Sequence, residues 1–421
     1  MHHVKSTSGP ASLLLDANGN PIPHLANCVT VLSPLESFFA YNDLKHSTIL
    51  VAEPPWHKPM EDEEGIPVWD DNQITQAQLW VQRKGLGVSH DTTARAAEVL
   101  ARERTFHPVR DYLSGLKWDG GKKLDTWLSI YLDAEESDYT SAVGSRFLLG
   151  AVARAFDPGC KMDYMLTLEG SQGDFKSTVA QILGGEWYID GLGSEGKLDR
   201  DACLAMAGYW IVELSEVDEA LRHSNASRMK AFLSRQVDTY RPPYGRSMMQ
   251  AKRQCVFIGT TNHDLYLRDP TGNRRYLPVR VWTKTGRVRS ADCLTYVRDQ
   301  LWAEAVTRYR AGERHWFEGA AETAMLEEEQ EARCIPHMAD MSIEEYCRVG
   351  EGWRSPVEIS EIFDYIVAPG NRPYLAQQGN LMKQIPLQLR NLGYSNARHR
   401  DPNRERGADG ARRQVRLWWR L

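Results

Sequence analysis

Lys176 and Ser177 follow an apolar run at 164–168, separated from it by a loop that carries Gly170 and Gly173. That spacing suits phosphate chemistry. A strand that ends in a glycine turn and opens a helix presents backbone N–H groups and the positive end of the helix dipole to an anion. The lysine then reaches the terminal phosphates of a nucleoside triphosphate, and the hydroxyl after it helps hold Mg2+. The expected nucleotide-binding segment is Gly170, Ser171, Gln172, Gly173, Asp174, Phe175, Lys176, Ser177 and Thr178. One position departs from the usual pattern: Phe175 stands where a glycine ordinarily precedes the lysine. Taken alone, the segment also fits a glycine-rich turn that binds nothing.

Three further groups follow in order. An apolar run at 209–214 delivers Glu213 and Glu216 at its carboxyl end, where a carboxylate orders Mg2+-bound water or polarises a water against a phosphate. Another run at 256–260 ends beside Asn262, whose amide suits orientation of that same water. Arg274 and Arg275 then precede a run at 276–281. Guanidinium is permanently charged and fork-shaped, which suits the charge that builds on a transferring phosphoryl group. Solvent-facing glutamates and plain surface arginines are the bland readings of these pieces; their order along the chain gives them weight.

The elements that must position these groups read as strands alternating with helices from about 162 to 282, the pattern of a parallel sheet with crossover helices. Nucleotide then belongs at the carboxyl ends of the strands. Before this region the chain is mostly helical in character, with Asp91-Thr92-Thr93 as an expected cap and a helix from Arg146 closed by Pro158-Gly159. After it come helical segments, an acidic stretch at 322–331, two helices within 355–394 and a short closing strand at 415–419, the outline of a winged helix. The expected domains are 1–140, mostly helical; 141–285, the nucleotide-binding core; 286–350, a helical linker or lid; and 351–421, a basic module.

Composition bounds the rest. The 421 residues are 42% hydrophobic and 25% charged, ordinary for globular domains with large cores. A net charge of −5 argues against attraction of nucleic acid by the whole surface and directs attention to local patches. Between 383 and 421 there are ten Lys and Arg against three Asp and Glu, so nucleic-acid contact is expected at this end. Seven scattered cysteines without a CxxC pair support neither a zinc ribbon nor a disulfide framework. The first residues lack an apolar leader segment, and no run approaches the roughly 18 apolar residues of a membrane helix. A cytoplasmic protein without membrane contact is expected.

The segments Leu168-Glu-Gly-Ser-Gln-Gly, Lys176-Ser-Thr, Gly184-Gly-Glu-Trp-Tyr and Trp210-Ile-Val-Glu-Leu-Ser-Glu together resemble the virulence-associated protein E family. Arg235-Gln-Val-Asp-Thr-Tyr-Arg-Pro-Pro-Tyr-Gly-Arg, Gly259-Thr-Thr-Asn and Asp269-Pro-Thr-Gly-Asn-Arg-Arg extend the likeness. That family comprises phage and mobile-element ATPases related to superfamily 3 helicases of the AAA+ class. The resemblance covers roughly 100–285. It implies an α/β fold with an AAA+/superfamily 3-like P-loop ATPase core and a C-terminal winged-helix-like module. Lys176 becomes the Walker A lysine, Ser177 a Mg2+ ligand, Glu216 and less surely Glu213 the Walker B acid, and Asn262 sensor 1. Arg274 or Arg275 becomes an arginine finger acting on a neighbouring subunit, which implies a ring such as a homo-hexamer. ATP and Mg2+ are the implied cofactors.

Superfamily 3 helicases carry a basic hairpin into the central channel, and the corresponding segment here holds Arg241, Tyr244, Arg246, Lys252 and Arg253. Cations there follow a phosphate backbone and tyrosines stack on bases. Arg412 and Arg413 are the expected contacts of the basic tail. The function implied is a Mg2+-ATP-dependent, ring-forming, helicase-like ATPase that acts on DNA in replication of a phage or mobile element. A primase, if one is needed, is expected on a separate chain. The rivals are a nucleotide-gated DNA-binding or helicase-loading module without unwinding activity, and a small-molecule kinase on the same loop.

Overall fold

A computed structural model describes residues 13–56, 68–192, 198–223, 226–241, 248–267, 273–282, 292–335, 338–349, 352–367, 385–386, 388–390, 392–400 and 414–420. Contacts divide the chain into two compact units. One comprises Met1–Asp264 with Thr271–Ala332, and the other Leu265–Pro270 with Arg333–Leu421. The division after Ala332 falls inside the segment expected to be a linker or lid.

At the centre of the first unit is a five-stranded parallel sheet. Its strands lie in the order Tyr276–Arg280, Met165–Glu169, Val256–Thr261, Ile211–Leu214 and Tyr188–Ile189. Met165–Glu169, Val256–Thr261 and Ile211–Leu214 are buried at every position, as strands covered on both faces must be. Counted by chain position, the first strand is separated from the third by the fourth. The end of Val256–Thr261 therefore lies between the ends of Met165–Glu169 and Ile211–Leu214. Sequence order alone does not reveal that interleaving.

Helix Asp138–Phe156 packs on Met165–Glu169 and Val256–Thr261, helix Lys176–Gly184 packs on Ile211–Leu214, and helix Asp292–Arg310 covers both helices. The buried indoles of Trp127, Trp210 and Trp302 anchor this core, with the rings of Trp210 and Trp302 4.4 Å apart. A second core gathers Cys28, Leu32, Phe39, Val81 and Leu100. There, helices Leu25–Leu32, Asp71–Arg83 and His90–Arg102 cover a small sheet of Ser47–Leu50, Phe39–Asn42 and Thr105–Phe106. The expected mostly helical segment thus also holds strands. Ser89, not Asp91-Thr92-Thr93, caps the third of these helices, its hydroxyl accepting the N–H of Thr92.

In the second unit, helices Met338–Cys347 and Ile359–Val367 share a core with Val357, Ile385, Leu389 and Trp418. A three-stranded antiparallel sheet runs Val357–Glu358, Gln414–Arg420, Tyr394–Arg400. Arg420 stacks over the Trp353 ring at 3.7 Å, and Arg390 lies over Trp418, so part of the basic end is braced on aromatic faces. Arg412 and Arg413 lie outside the described residues. Among the described residues no helix is long and apolar enough to cross a membrane.

Candidate nucleotide site

The first strand ends at Glu169 and the chain turns at Gly170. A β-carbon on Gly170 would sit 2.7 Å from an Asp174 carboxylate oxygen, so only glycine lets the loop close this tightly. Asp174 Oδ2 accepts the Ser171 N–H at 2.6 Å, and the Trp282 indole donates to the Asp174 carbonyl. Gly173 has φ +88. Phe175 has φ +52, the left-handed region that favours glycine, and its side chain is 43% exposed. Phe175 is therefore an ordinary side chain in a backbone position made for glycine, which is the physical meaning of the departure noted above.

Helix Lys176–Gly184 starts immediately afterwards with no side-chain cap. Helices beginning after Asp70, Ser89, Ser137 and Asp199 are each capped by that residue's own side chain. Helices Trp127–Tyr131 and Ala320–Glu331 likewise lack a side-chain cap, but only this start follows the glycine loop and carries Lys176, an arrangement that suits an anion. Lys176 lies within the loop and its ammonium donates to Gly170 O, Ser171 O and Asn262 Oδ1 at 2.8–2.9 Å. Burial holds this ammonium below the ordinary lysine value, and the carboxylates of Asp174 and Glu213 oppose that shift.

Glu213 is fully buried, and its carboxylate is held by hydroxyls. Oε1 accepts from Ser177 at 2.7 Å, Thr260 at 3.0 Å and Ser215 at 3.2 Å. Oε2 accepts from Tyr188 at 2.5 Å, and the Tyr188 phenol is pushed far up by burial and by that carboxylate. The acid that meets Ser177 is therefore Glu213, the second choice of the two expected glutamates. The strand ends at Leu214, the chain turns at Glu216 with φ +52, and this side chain is exposed at the start of helix Val217–His223. Asp218, one turn into the site, accepts from Thr261 at 3.0 Å and pairs with His263 at 3.3 Å.

The structure thus joins Lys176, Ser177, Glu213 and Asn262 within direct hydrogen bonds. Tyr188, Thr260 and Asp218 were not anticipated. The first two lie inside segments that carried the resemblance, but hydroxyl–carboxylate contacts between strands leave no mark of spacing. The residues fit a Mg2+ nucleotide: a buried ammonium, an uncapped helix start, and a hydroxyl backed by a carboxylate. Mg2+ at nucleotide sites takes one or two protein ligands plus phosphate oxygens. No cluster of three His, Cys, Asp or Glu suited to a metal occurs among the described residues.

Arg274 and Arg275 stand elsewhere. They precede Tyr276, which lies beside Met165, the first residue of the loop's own strand. A five-residue strand, about 16 Å at 3.3 Å per residue, separates them from the loop of their own chain. Arg275 is half-buried and donates to Ser234 Oγ, while Arg274 is exposed.

The anticipated hairpin is present, with Val237–Tyr240 paired antiparallel to Met249–Lys252. Arg241 and Lys252 are exposed; Tyr244 and Arg246 lie outside the described residues. Arg253 is not available to DNA, which corrects that expectation. It is 2% exposed, donates to both carboxylate oxygens of Asp238 and to the Phe232 carbonyl, and lies over the rings of Phe232 and Phe257. It ties the root of the hairpin to the strand Val256–Thr261, which Asn262 follows.

The sheet, loop and acid define an α/β protein whose first strand feeds a lysine-bearing turn into an uncapped helix. The model of the virulence-associated protein E-like domain matches residues 113–335, more than half of the chain, and the chain belongs to that family. No curated protein matches it. Among solved structures, an apo structure of the NrS-1 C terminal region (305–718) is 11% identical, covering 93% of this chain and 97% of that one, with a TM-score of 0.46. The A form of the same apo region is also 11% identical, covering 93% and 98%, with a TM-score of 0.45.

Proposed function

We propose that this chain is a Mg2+-ATP-dependent, ring-forming, helicase-like ATPase of the AAA+/superfamily 3 kind, acting on DNA in replication of a phage or mobile element. The observation that carries the proposal is the direct contact of Lys176 with Asn262 and of Ser177 with Glu213, across three neighbouring strands. Bound Mg2+-ATP supplies the transferable phosphoryl group together with the ion that neutralises its charge. Lys176 would exchange its loop carbonyls for the terminal phosphates, and the first-turn N–H groups would hold the remaining negative charge. Ser177 and, behind it, Glu213 hold the metal side. Asn262 would orient the attacking water, and the exposed Glu216 would take its proton.

Arg274 serves the next copy, because a strand length separates it from its own loop. The hairpin bearing Arg241 and Lys252 meets DNA, and the second unit, with two helices and a basic antiparallel sheet, supports the winged-helix reading. Lys176→Ala is expected to abolish ATP turnover, measured as phosphate release with and without DNA; undiminished turnover contradicts the assignment. Mixing Lys176→Ala with Arg274→Ala chains restores part of the activity if sites are shared, since some junctions then hold an intact lysine and an intact arginine. Absence of recovery at every ratio contradicts a trans-acting Arg274.

A further inference from the structure

The face around Arg274 holds a cavity that the mechanism above leaves unused. Its volume is about 550 Å3, with Tyr164, Trp316, Phe317 and Leu326 as its apolar wall, Lys161 and Arg274 as its cations and Asp163 as its one carboxylate. Tyr164 and Phe317 meet edge to face at 5.5 Å, while Trp316 remains 46% exposed. It lies where the strands Met165–Glu169 and Tyr276–Arg280 begin. Phe175, 43% exposed and held left-handed, lies beyond the end at which the first of these strands finishes. An exposed aromatic ring and an aromatic cavity therefore occupy opposite ends of one sheet, where they cannot meet within a chain.

Between chains the geometry reverses. If Arg274 of one copy reaches a terminal phosphate held at Lys176 of the next, Phe175 of that next copy must lie against the surface around Arg274. Its α-carbon is only about 3.8 Å from that of Lys176. The charges agree on balance, because two cations, Lys161 and Arg274, against the single carboxylate of Asp163 face a loop that would carry a triphosphate. We propose that the Phe175 ring of one copy inserts into the Tyr164–Trp316–Phe317 cavity of its neighbour, so that the nucleotide loop itself forms part of the subunit junction. The inference rests on the trans-acting Arg274 of the preceding section. It gives Phe175 a role that glycine cannot fill: the conformational cost of the left-handed position is offset by burial of the ring on assembly.

The test uses full-length chains in a Cys293→Ser background, which removes the exposed thiol. Phe175→Cys chains are mixed with Thr323→Cys chains, Thr323 lying on the cavity lining. A short bis-maleimide is added with Mg2+ and a non-hydrolysable ATP analogue, and oligomer size is measured in parallel. The expected result is crosslinked pairs in the mixture and none in either variant alone. Assembled oligomers without crosslinks, or crosslinks between two Phe175→Cys chains, overturn the insertion while leaving the shared-site reading standing. A chain that stays monomeric under every nucleotide and DNA condition overturns both. As a second arm, Thr323→Trp fills the cavity from outside the nucleotide site. It is expected to weaken assembly about tenfold with analogue binding by the single chain unchanged, and unaltered assembly contradicts the proposal.

Discussion

Glu213 is held by Ser177, Ser215, Thr260 and Tyr188, four hydroxyls around one buried carboxylate. A group so fixed suits the ordering of an ion, whereas Glu216 is exposed at the turn beyond. The two acids are therefore expected to fail differently. Glu213→Gln weakens Mg2+-dependent nucleotide binding along with turnover. Glu216→Gln retains binding and loses about 10²-fold in kcat, the ordinary worth of a general base. Titrations with a fluorescent analogue beside steady-state rates separate them, and equal binding losses in both variants contradict the division. Lys176, Ser177 and Asn262 were legible from residue type and order. Which glutamate meets Ser177 was not, because Glu213 lies inside the strand and Glu216 beyond its end at Leu214, a boundary that residue type does not mark.

At the scale of elements, the four longer strands of the sheet were legible as apolar runs, each within two residues of its observed ends. Tyr188–Ile189 was missed because two residues carry no period. The hairpin was anticipated as a basic turn, but the inward face of its first strand, Asp238 and Tyr240, reassigns Arg253. A cation beside a basic turn looks like a DNA contact until its carboxylate partner, 15 residues earlier, is seen to be buried with it. Removing one partner of a buried pair strands the other charge. Asp238→Ala is thus expected to cost about 3–5 kcal/mol of stability in chemical denaturation. A loss below 1 kcal/mol contradicts the buried clamp. Lys252→Ala, on the exposed edge of the same hairpin, is expected to lower DNA affinity without lowering stability.

For the whole molecule, three histidines, His107 and His315 buried and His46 half-buried, predict how stability follows pH. Burial holds His46, His107 and His315 below the ordinary histidine value. His107 Nδ1 accepts the Arg110 N–H and its Nε2 meets the Gln254 amide oxygen, so the neutral ring already satisfies both nitrogens. Arg110 opposes its protonation and Asp43 favours it; around His315, Arg154 and Asp157 take the same two parts. The unfolded chain takes up protons at these rings below about pH 6.5, before the folded chain does, so acidification through that window favours unfolding. Thermal unfolding is expected to move to lower temperature between pH 7 and 5.5, with a smaller shift in His107→Gln than in the parent chain; an equal shift contradicts the account. A ring was expected only from the resemblance, since a single chain's residues do not record a neighbouring copy, and strand order was not legible at all. The central claim is that a triphosphate sits where the first strand meets its helix. A crystal structure with Mg2+ and a non-hydrolysable ATP analogue tests it most directly. The terminal phosphate is expected beside Lys176, with Mg2+ at Ser177; nucleotide bound elsewhere, or a cradle closed by the Phe175 ring, contradicts it.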